Sequence, residues 1–543
     1  MKTIIIGGVA AGTSVAAKLR RNDENREIII FEKGSFISYS TCGMPYFIGR
    51  EDIEADNLTP RDPQWFAKRF LIDIKTQHEV LAIKSEEKVL EVKNLSNGET
   101  FSESYDELVL ATGSNAVRPP IRGIEKPHVF TLKTMEDTLA LDSYLSQNTI
   151  KSAVVIGAGF IGLEILENLT VRGIKAQIIE AKGSLMPAMD DDMSPWIENY
   201  FKGKNIDYSL NEMVEKIEDA TVHTKSGQSY SADLVIVSAG VRPEVSLAQN
   251  IGIELGESGA IKVDETMNTS LPGIKAVGDC AEVWSAATGK AMYRPMGSTA
   301  NKMGRIAGDS LSGGDLKFRG VLGTGIVHFF DLQIGFTGMS ERDAAAEGYD
   351  VEIIHNIKEN QSKYLPESRE MVIKALADRK TGKLLGVQII GEKGIDKRLD
   401  VFVTAITLGA TVDDLFHLDL SYAPPFSTTK DPVMYTGMIL SNALHRGRKI
   451  ITPRKLHENE SAYQIVDVRS PKDYEKGHIP SAVNIPLAVL RERMDELDKT
   501  RPTVTHCNKG VTGNAAQNLL INAGFSEVYN LSGGFKNYKT TLL

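Results

Sequence analysis

Cysteine is scarce: three in 543 residues, at positions 42, 280 and 507. That excludes a disulfide framework and makes a reducing compartment, the cytoplasm, the default expectation. Each thiol must be judged alone. Long apolar runs are also missing. No stretch reaches the roughly 18 apolar residues of a membrane span. The opening MKTIIIGG lacks a small-residue cleavage site and runs straight into a glycine turn, so it reads as a first β-strand. Positive charge is not in excess: 62 Lys and Arg stand against 71 Asp and Glu, a net charge of −9. That argues against a nucleic-acid partner, while a local basic patch can still hold an anionic small molecule. No metal is expected. With 42% hydrophobic and 24% charged residues the chain has ample core material, and its length suggests about three or four domains.

Two similar patterns organise the first half. Residues 2–6, KTIII, lead into GGVAAG (7–12), a helical run and a second strand, REIIIFE, ending at Glu32. Gly7 permits a tight turn. Gly12 lets helix and strand approach. The helix N-terminus presents unpaired N–H groups to a pyrophosphate, and Glu32 stands where an acid bonds ribose hydroxyls. Val9 replaces the middle glycine of GxGxxG, although Gly8 precedes it. The pattern recurs in full at Gly157, Gly159 and Gly162, after the strand SAVVI, and its second strand ends at Glu180. An acid there favours NADH over NADPH through repulsion of a 2′-phosphate. Strand-plus-glycine segments follow at Thr112–Gly113 and Gly240, and Gly278–Asp279 ends a later strand.

Two fingerprints in this layout resemble the two-dinucleotide-fold flavoprotein disulfide reductases, over residues 1 to about 445. The resemblance implies an α/β architecture. It has a discontinuous FAD-binding domain (1–115 and 265–325), an NAD(H)-binding domain (148–264) and an α+β dimerisation domain (326–445) at a homodimer interface. It further implies flavin contacts from Gly7, Gly8, Ala11, Gly12, Glu32, Lys33, Thr112, Gly113, Gly278 and Asp279. Nicotinamide contacts fall to Gly157, Gly159, Gly162, Glu164, Glu180 and Gly240. Cys280 reads as small filler beside the flavin.

The loop ISYSTCGMPYFIG contains one cysteine, Cys42, so it cannot form the dithiol of familiar members. A lone cysteine must cycle through a substrate thiol, a sulfane sulfur or a sulfenic acid. The CGxPY run resembles the coenzyme A–disulfide reductase group; oxidase and peroxidase relatives usually lack the Pro-Tyr pair. The Cys42 thiol is expected to have a lowered pKa, from a helix N-terminus or the flavin. The resemblance places coenzyme A on Arg20, Arg21, Ser38 and Arg61, and proton transfer on Tyr422, with Tyr364 as a second candidate.

After a basic, polar stretch expected to be a linker (446–460), residues 461–543 change character. DVR (467–469), GHIPSAVNIP (477–486), a strand–Cys507–loop–helix and LSGGF (531–535) together resemble a rhodanese domain of α/β type. The loop CNKGVT can wrap backbone N–H groups around a Cys507 sulfur, and Lys509 is expected to add positive charge. Thr512 stands where many thiosulfate-cleaving members carry arginine. The combined expectation is an NADH-fed FAD enzyme that reduces coenzyme A persulfide, polysulfide or coenzyme A disulfide. The open alternatives are a plain coenzyme A–disulfide reductase with a passenger rhodanese module, an NADH oxidase or peroxidase, and a non-enzymatic redox sensor.

Overall fold

A computed structural model describes residues 1–543. The chain separates into two compact units: Met1–Gly183 with Asp207–Val321, and Ser184–Ile206 with Leu322–Leu543.

The first unit contains the duplicated dinucleotide fold. Strand Lys2–Ile6 lies between Glu27–Phe31 and Glu107–Leu110 in a five-stranded parallel sheet edged by Asp73–Lys75 and Ile274–Ala276. Buried on both faces, the central strands read as continuous Ile and Val runs. The second sheet repeats that order: Tyr208–Ser209, Lys175–Ile179, Ser152–Ile156, Leu234–Val237 and Val129–Phe130, all parallel. Each sheet carries a three-stranded antiparallel companion, His78–Lys84/Val89–Asn94/Thr100–Ser104 and Val214–Ile217/Thr221–Thr224/Ser229–Ser231. Strands Ser114–Ala116 and Val241–Pro243 pair where the chain passes between the halves. Helix Gly297–Leu311 packs so closely on helix Ala10–Asn22 that a side chain at Gly308 would sit 2.6 Å from the Val15 carbonyl oxygen.

The second unit holds an antiparallel sheet ordered Gly325–Phe329, Leu332–Gly338, Leu384–Gly391, Glu370–Asp378 and Val351–Glu359. Helices Ile395–Thr407 and Pro432–His445 cover its apolar face. A last parallel sheet runs Ile450–Ile451, Val528–Leu531, Thr503–His506, Gln464–Asp467 and Val483–Asn484.

Three expected boundaries need correction. Residues 446–460 are no linker: Ile450–Ile451 forms the edge of the last sheet and helix Pro453–Glu458 packs beneath it through buried Leu456. The span 148–264 overruns at its end, because Ala248, Ile253 and Ile261 are buried in the core of the first sheet. It is also interrupted: Ser184–Ile206 belongs to the second unit, where Phe201 stacks on Phe329 at 4.8 Å between ring centroids. No helix is long and apolar enough to cross a membrane.

Candidate functional site

The two glycine turns have matching geometry. Gly7 and Gly157 adopt φ of +109° and +110°, a region side chains avoid, and a Cβ on either would overlap the carbonyl oxygen of Ala111 or Ser238. A Cβ at Gly12 or Gly162 would overlap the carbonyl of the turn glycine itself, so the helix can approach only without one. The space over Gly159 is open. The acids close each turn in the same way. Glu32 accepts from the Gly8 and Gly34 amides at 2.6 and 2.7 Å, and Glu180 from the Ala158 and Lys182 amides, both at 2.8 Å. Burial pushes the Glu32 carboxyl above its usual range, against those amide bonds. Such cradles fit two dinucleotides.

All but one of the remaining expected flavin residues converge on the same edge, with Gly240 of the nicotinamide set beside them. Gly278, at φ +78°, packs against Ala11, where a Cβ would sit 2.8 Å from the Ala11 methyl. Thr112 Oγ1 donates to the Glu244 carbonyl at 2.6 Å, and Gly113 and Gly240 take positive φ with open space above them. Asp279 accepts from Ser114 Oγ at 2.8 Å and Lys133 Nζ at 3.2 Å. Cys280 is fully buried. Lys33 points elsewhere, pairing with Glu79 at 2.7 Å on the surface.

Cys42 is exposed, in the turn Thr41–Gly43 that leads into helix Met44–Gly49. That helix packs on Phe160–Val171, the first helix of the second dinucleotide fold, and Arg172 donates to the Ile48 carbonyl at 3.0 Å. This brings Glu164 to the Cys42 turn, where Tyr46 Oη donates to it at 3.4 Å. Burial, with the nearby Glu167 adding to it against the Tyr46 bond, pushes the Glu164 carboxyl up to about 7. The chain's own residues do not supply the lowering expected for the Cys42 thiol from a helix N-terminus or the flavin. Partial desolvation, then the Glu164 and Asp279 carboxylates, push the thiol up against the pull of Lys133. Lys133 and Tyr293 beside Asp279 escaped the sequence reading, since no motif surrounds them; Ser114, next to Thr112–Gly113, and Tyr46, within CGMPY, lay in plain view.

A cavity of about 650 Å³ opens beside helix Ala10–Asn22. Arg21, Ser38 and Arg61 line it as expected, and Lys18, Arg69 and Arg305 add unanticipated charge. Arg61 and Arg69 lie over the Trp65 ring at 5.0 and 5.4 Å. Arg20 is corrected: it is 4% exposed and spends its guanidinium on the carbonyls of Phe70, Leu71, Asp23 and Glu24. These bonds use four of its five N–H donors and knit the helix end to the fold, and Arg20 is not part of the cavity lining.

In the second unit, Tyr364 and Tyr422 are 75% and 51% exposed. Their loops are joined, Ser362 N donating to the Pro424 carbonyl at 3.1 Å. Buried Arg398 braces both, donating to the Asn360 carbonyl at 2.8 Å, the Phe426 carbonyl at 3.2 Å and Asp431 at 2.8 Å.

Cys507 ends strand Thr503–His506, 6% exposed, and the Gly510 amide donates to its Sγ at 3.2 Å ahead of helix Val511–Asn522. The turn after Leu531 holds this loop through Phe535 N to the Cys507 carbonyl at 2.8 Å and Lys536 N to the Asn508 carbonyl at 2.9 Å. Asp467 and Arg469 form a buried pair beneath it, and neighbouring His506 is enclosed so completely that its pKa falls to about 4. The charge expected from Lys509 is already neutralised: its ammonium bonds Glu359 at 2.9 Å and also Glu370.

Comparison with known proteins agrees with these parts. Residues 1–296 match the pyridine nucleotide-disulphide oxidoreductase family, 324–432 its dimerisation domain and 452–541 the rhodanese-like domain. The chain is 36% identical over 444 residues to the NAD(P)H sulfur oxidoreductase (CoA-dependent) of Pyrococcus furiosus, covering 81% of this chain and 99% of the relative. It is 33% identical to the coenzyme A disulfide reductase of Staphylococcus haemolyticus, covering 80% and 98%. Among solved structures it is similar to reduced Bacillus anthracis CoADR-RHD, with TM-score 0.97, 37% identity, and 100% and 98% coverage. It is likewise similar to an NAD-dependent persulfide reductase from A. fulgidus, with TM-score 0.92, 35% identity, and 99% and 100% coverage.

Proposed function

Because the chain belongs to the pyridine nucleotide-disulphide oxidoreductase family, we propose that it is an NADH-dependent reductase of coenzyme A persulfide, polysulfide and coenzyme A disulfide, working through the single thiol of Cys42. The carrying observation is the grouping of one exposed cysteine with Glu164 and Asp279, at the meeting of two dinucleotide cradles, in a chain that ends in a second cysteine-bearing sulfur loop. FAD held by the first cradle would supply two-electron transfer from NAD(P)H to sulfur.

The chain's own residues do the rest. Glu180 bonds ribose hydroxyls and repels a 2′-phosphate, which favours NADH. Lys18, Arg21, Arg61, Arg69 and Arg305 offer positive charge to the phosphates of coenzyme A and orient its thiol end toward the redox turn. Cys42 forms and releases the mixed sulfur bond. Tyr422, with Tyr364 on the adjoining loop, protonates the departing thiolate. In a homodimer built on residues 326–445 these exposed phenols serve the partner's site, which accounts for their standing free of their own chain. Cys507 binds sulfane sulfur beneath the Gly510 amide and delivers it to the reductase. A reducing compartment such as the cytoplasm suits a free Cys42.

Substitution of the two thiols tests this. Cys42→Ser is expected to abolish NADH-driven reduction of every sulfur acceptor. Cys507→Ser is expected to spare coenzyme A disulfide while impairing sulfide release from donors that need the last domain. Full activity of Cys507→Ser on coenzyme A persulfide and polysulfide would leave a plain disulfide reductase carrying a passenger domain.

A further inference from the structure

The loop around Cys507 has the form of an anion cradle, yet its cations are occupied. Lys509 directly precedes the Gly510 amide that touches Sγ. Its ammonium is gripped by Glu359 at 2.9 Å and by Glu370. Lys536, whose own amide holds the Asn508 carbonyl, gives its ammonium to Glu370 as well. The two acids come from adjacent antiparallel strands and face each other directly in register. Like charges directly opposed across a strand pair repel, so the two lysines are what makes this arrangement tolerable. Two carboxylates against two ammoniums leave no net charge beside the loop. Thr512, exposed at the start of the following helix, adds none. What remains to receive an anion is backbone N–H and one helix terminus.

We propose that Glu359 and Glu370 are specificity-determining residues of the Cys507 site, clamping Lys509 and Lys536 so that the loop takes sulfane sulfur from organic persulfides and discriminates against the small dianion thiosulfate. This rests on the reading that Cys507 handles sulfane sulfur. In the favoured transfer the Cys507 thiolate attacks the outer sulfur of R–S–SH. The R–S bond to that sulfur breaks, the outer sulfur keeps its proton, and R–S⁻ leaves while Cys507–S–SH forms. With thiosulfate the same attack expels sulfite and leaves Cys507–S–S⁻, and the donor and the leaving group are both dianions. That route needs free positive charge close to Cys507, which the clamp removes.

The test uses the full-length flavoprotein without NADH, so that sulfur stays where it lands. Glutathione persulfide and thiosulfate serve as donors, and loading of the Cys507 peptide with one sulfur is followed by mass spectrometry. E359Q/E370Q, which frees both lysines, is expected to raise the thiosulfate loading rate roughly tenfold while changing the persulfide rate far less, and added salt should erode the gain. Adding K509M to that pair should take most of it back. An unchanged ratio of the two donors in the folded double variant, or a gain insensitive to both salt and K509M, overturns the clamp. If the double variant does not fold, E359Q alone removes one of the two partners of Lys509 and must shift the ratio in the same direction; no shift overturns the idea equally. Wild-type protein in which neither donor loads Cys507 refutes the underlying reading, a result distinct from failure of the clamp.

Discussion

Replacing Glu164 by glutamine keeps an acceptor for the Tyr46 hydroxyl but removes a charge from beside Cys42. In the folded protein the Glu164 carboxyl rises from 4.5 to about 7, chiefly through burial. At about 1.4 kcal/mol per unit, that is a penalty of about 3 kcal/mol on the ionised form. The sign follows from linkage. Between the unfolded value of 4.5 and the folded value of about 7 the native state holds the extra proton, so its stability falls as pH rises through that window and levels off above it. Relative to wild type, Glu164→Gln should therefore be near neutral at the acid end and more stable by about 3 kcal/mol above the window. Hydrogen exchange of helix Phe160–Val171 at the two ends of the range reads this locally. Loss of the carboxylate should also lower the Cys42 pKa. Alkylation of that thiol by iodoacetamide, followed from about pH 5 to about pH 10, should show its inflection displaced toward acid. An inflection that stays in place or moves upward would refute the placement of Glu164 as the group that opposes the thiolate.

Gly12→Ala forces a methyl onto the Gly7 carbonyl and should yield protein that does not retain yellow flavin on gel filtration, whereas Gly162→Ala should stay yellow but resist reduction by NADH. Wild type should prefer NADH over NADPH in kcat/KM, and Glu180→Gln should narrow that preference roughly tenfold as the like-charge repulsion is lost. Arg398→Met strands the buried Asp431 carboxylate, paired at 2.8 Å; it should cost about 3–5 kcal/mol in unfolding experiments. Together with Tyr422→Phe, it should slow flavin reoxidation by disulfide more than reduction by NADH in stopped-flow traces.

Local features were legible in the sequence, and assembled ones were not. Both glycine turns and their acids are short segments whose backbone geometry demands particular residues, and CGMPY and the Cys507 loop are short segments that carry a family resemblance, so all could be read directly. The cationic cavity could be read only in part: Arg21, Ser38 and Arg61 were expected there, and Lys18, Arg69 and Arg305 were not. Its charges come from helix Ala10–Asn22, from Arg61 just before helix Pro63–Phe70, from that helix, and from helix Gly297–Leu311, which meet only in three dimensions. Arg20 and Arg21 are neighbours in sequence but about 100° apart around a helix, so one turns inward to carbonyls and the other faces the cavity. The pair alone gives no clue which is which. The chain's own push on the Cys42 thiol was hidden for the same reason: Glu164 and Asp279 approach it from distant parts of the chain. The strand Ile450–Ile451 was hidden because two apolar residues in a basic stretch carry no periodicity.

The attachment of the last domain bears on whether it is a passenger. Lys374, fully buried on the dimerisation sheet, bonds Asp192 at 2.7 Å, Asp190 at 3.1 Å and Glu341 at 2.8 Å. His355 joins this group through Asp192 at 3.0 Å, and its backbone amide donates to Ser532 Oγ at 2.6 Å. Burial alone would raise the Asp192 carboxyl, but His355 and Lys374 more than offset it and hold it well below the usual range. Ser532 opens the same turn whose Phe535 and Lys536 amides hold the Cys507 loop. The Cys507 loop is thus tied to the neighbouring domain through Ser532, which meets a buried charge network, and through Lys509 and Lys536, which meet Glu359 and Glu370. Apolar contact would give equal stability without constraint on orientation, whereas a buried polar network is satisfied in only one arrangement. A tethered domain with no part in the chemistry has no need of that constraint. The proposed reception of sulfur by the Cys507 loop, under the charge set by Glu359 and Glu370, does.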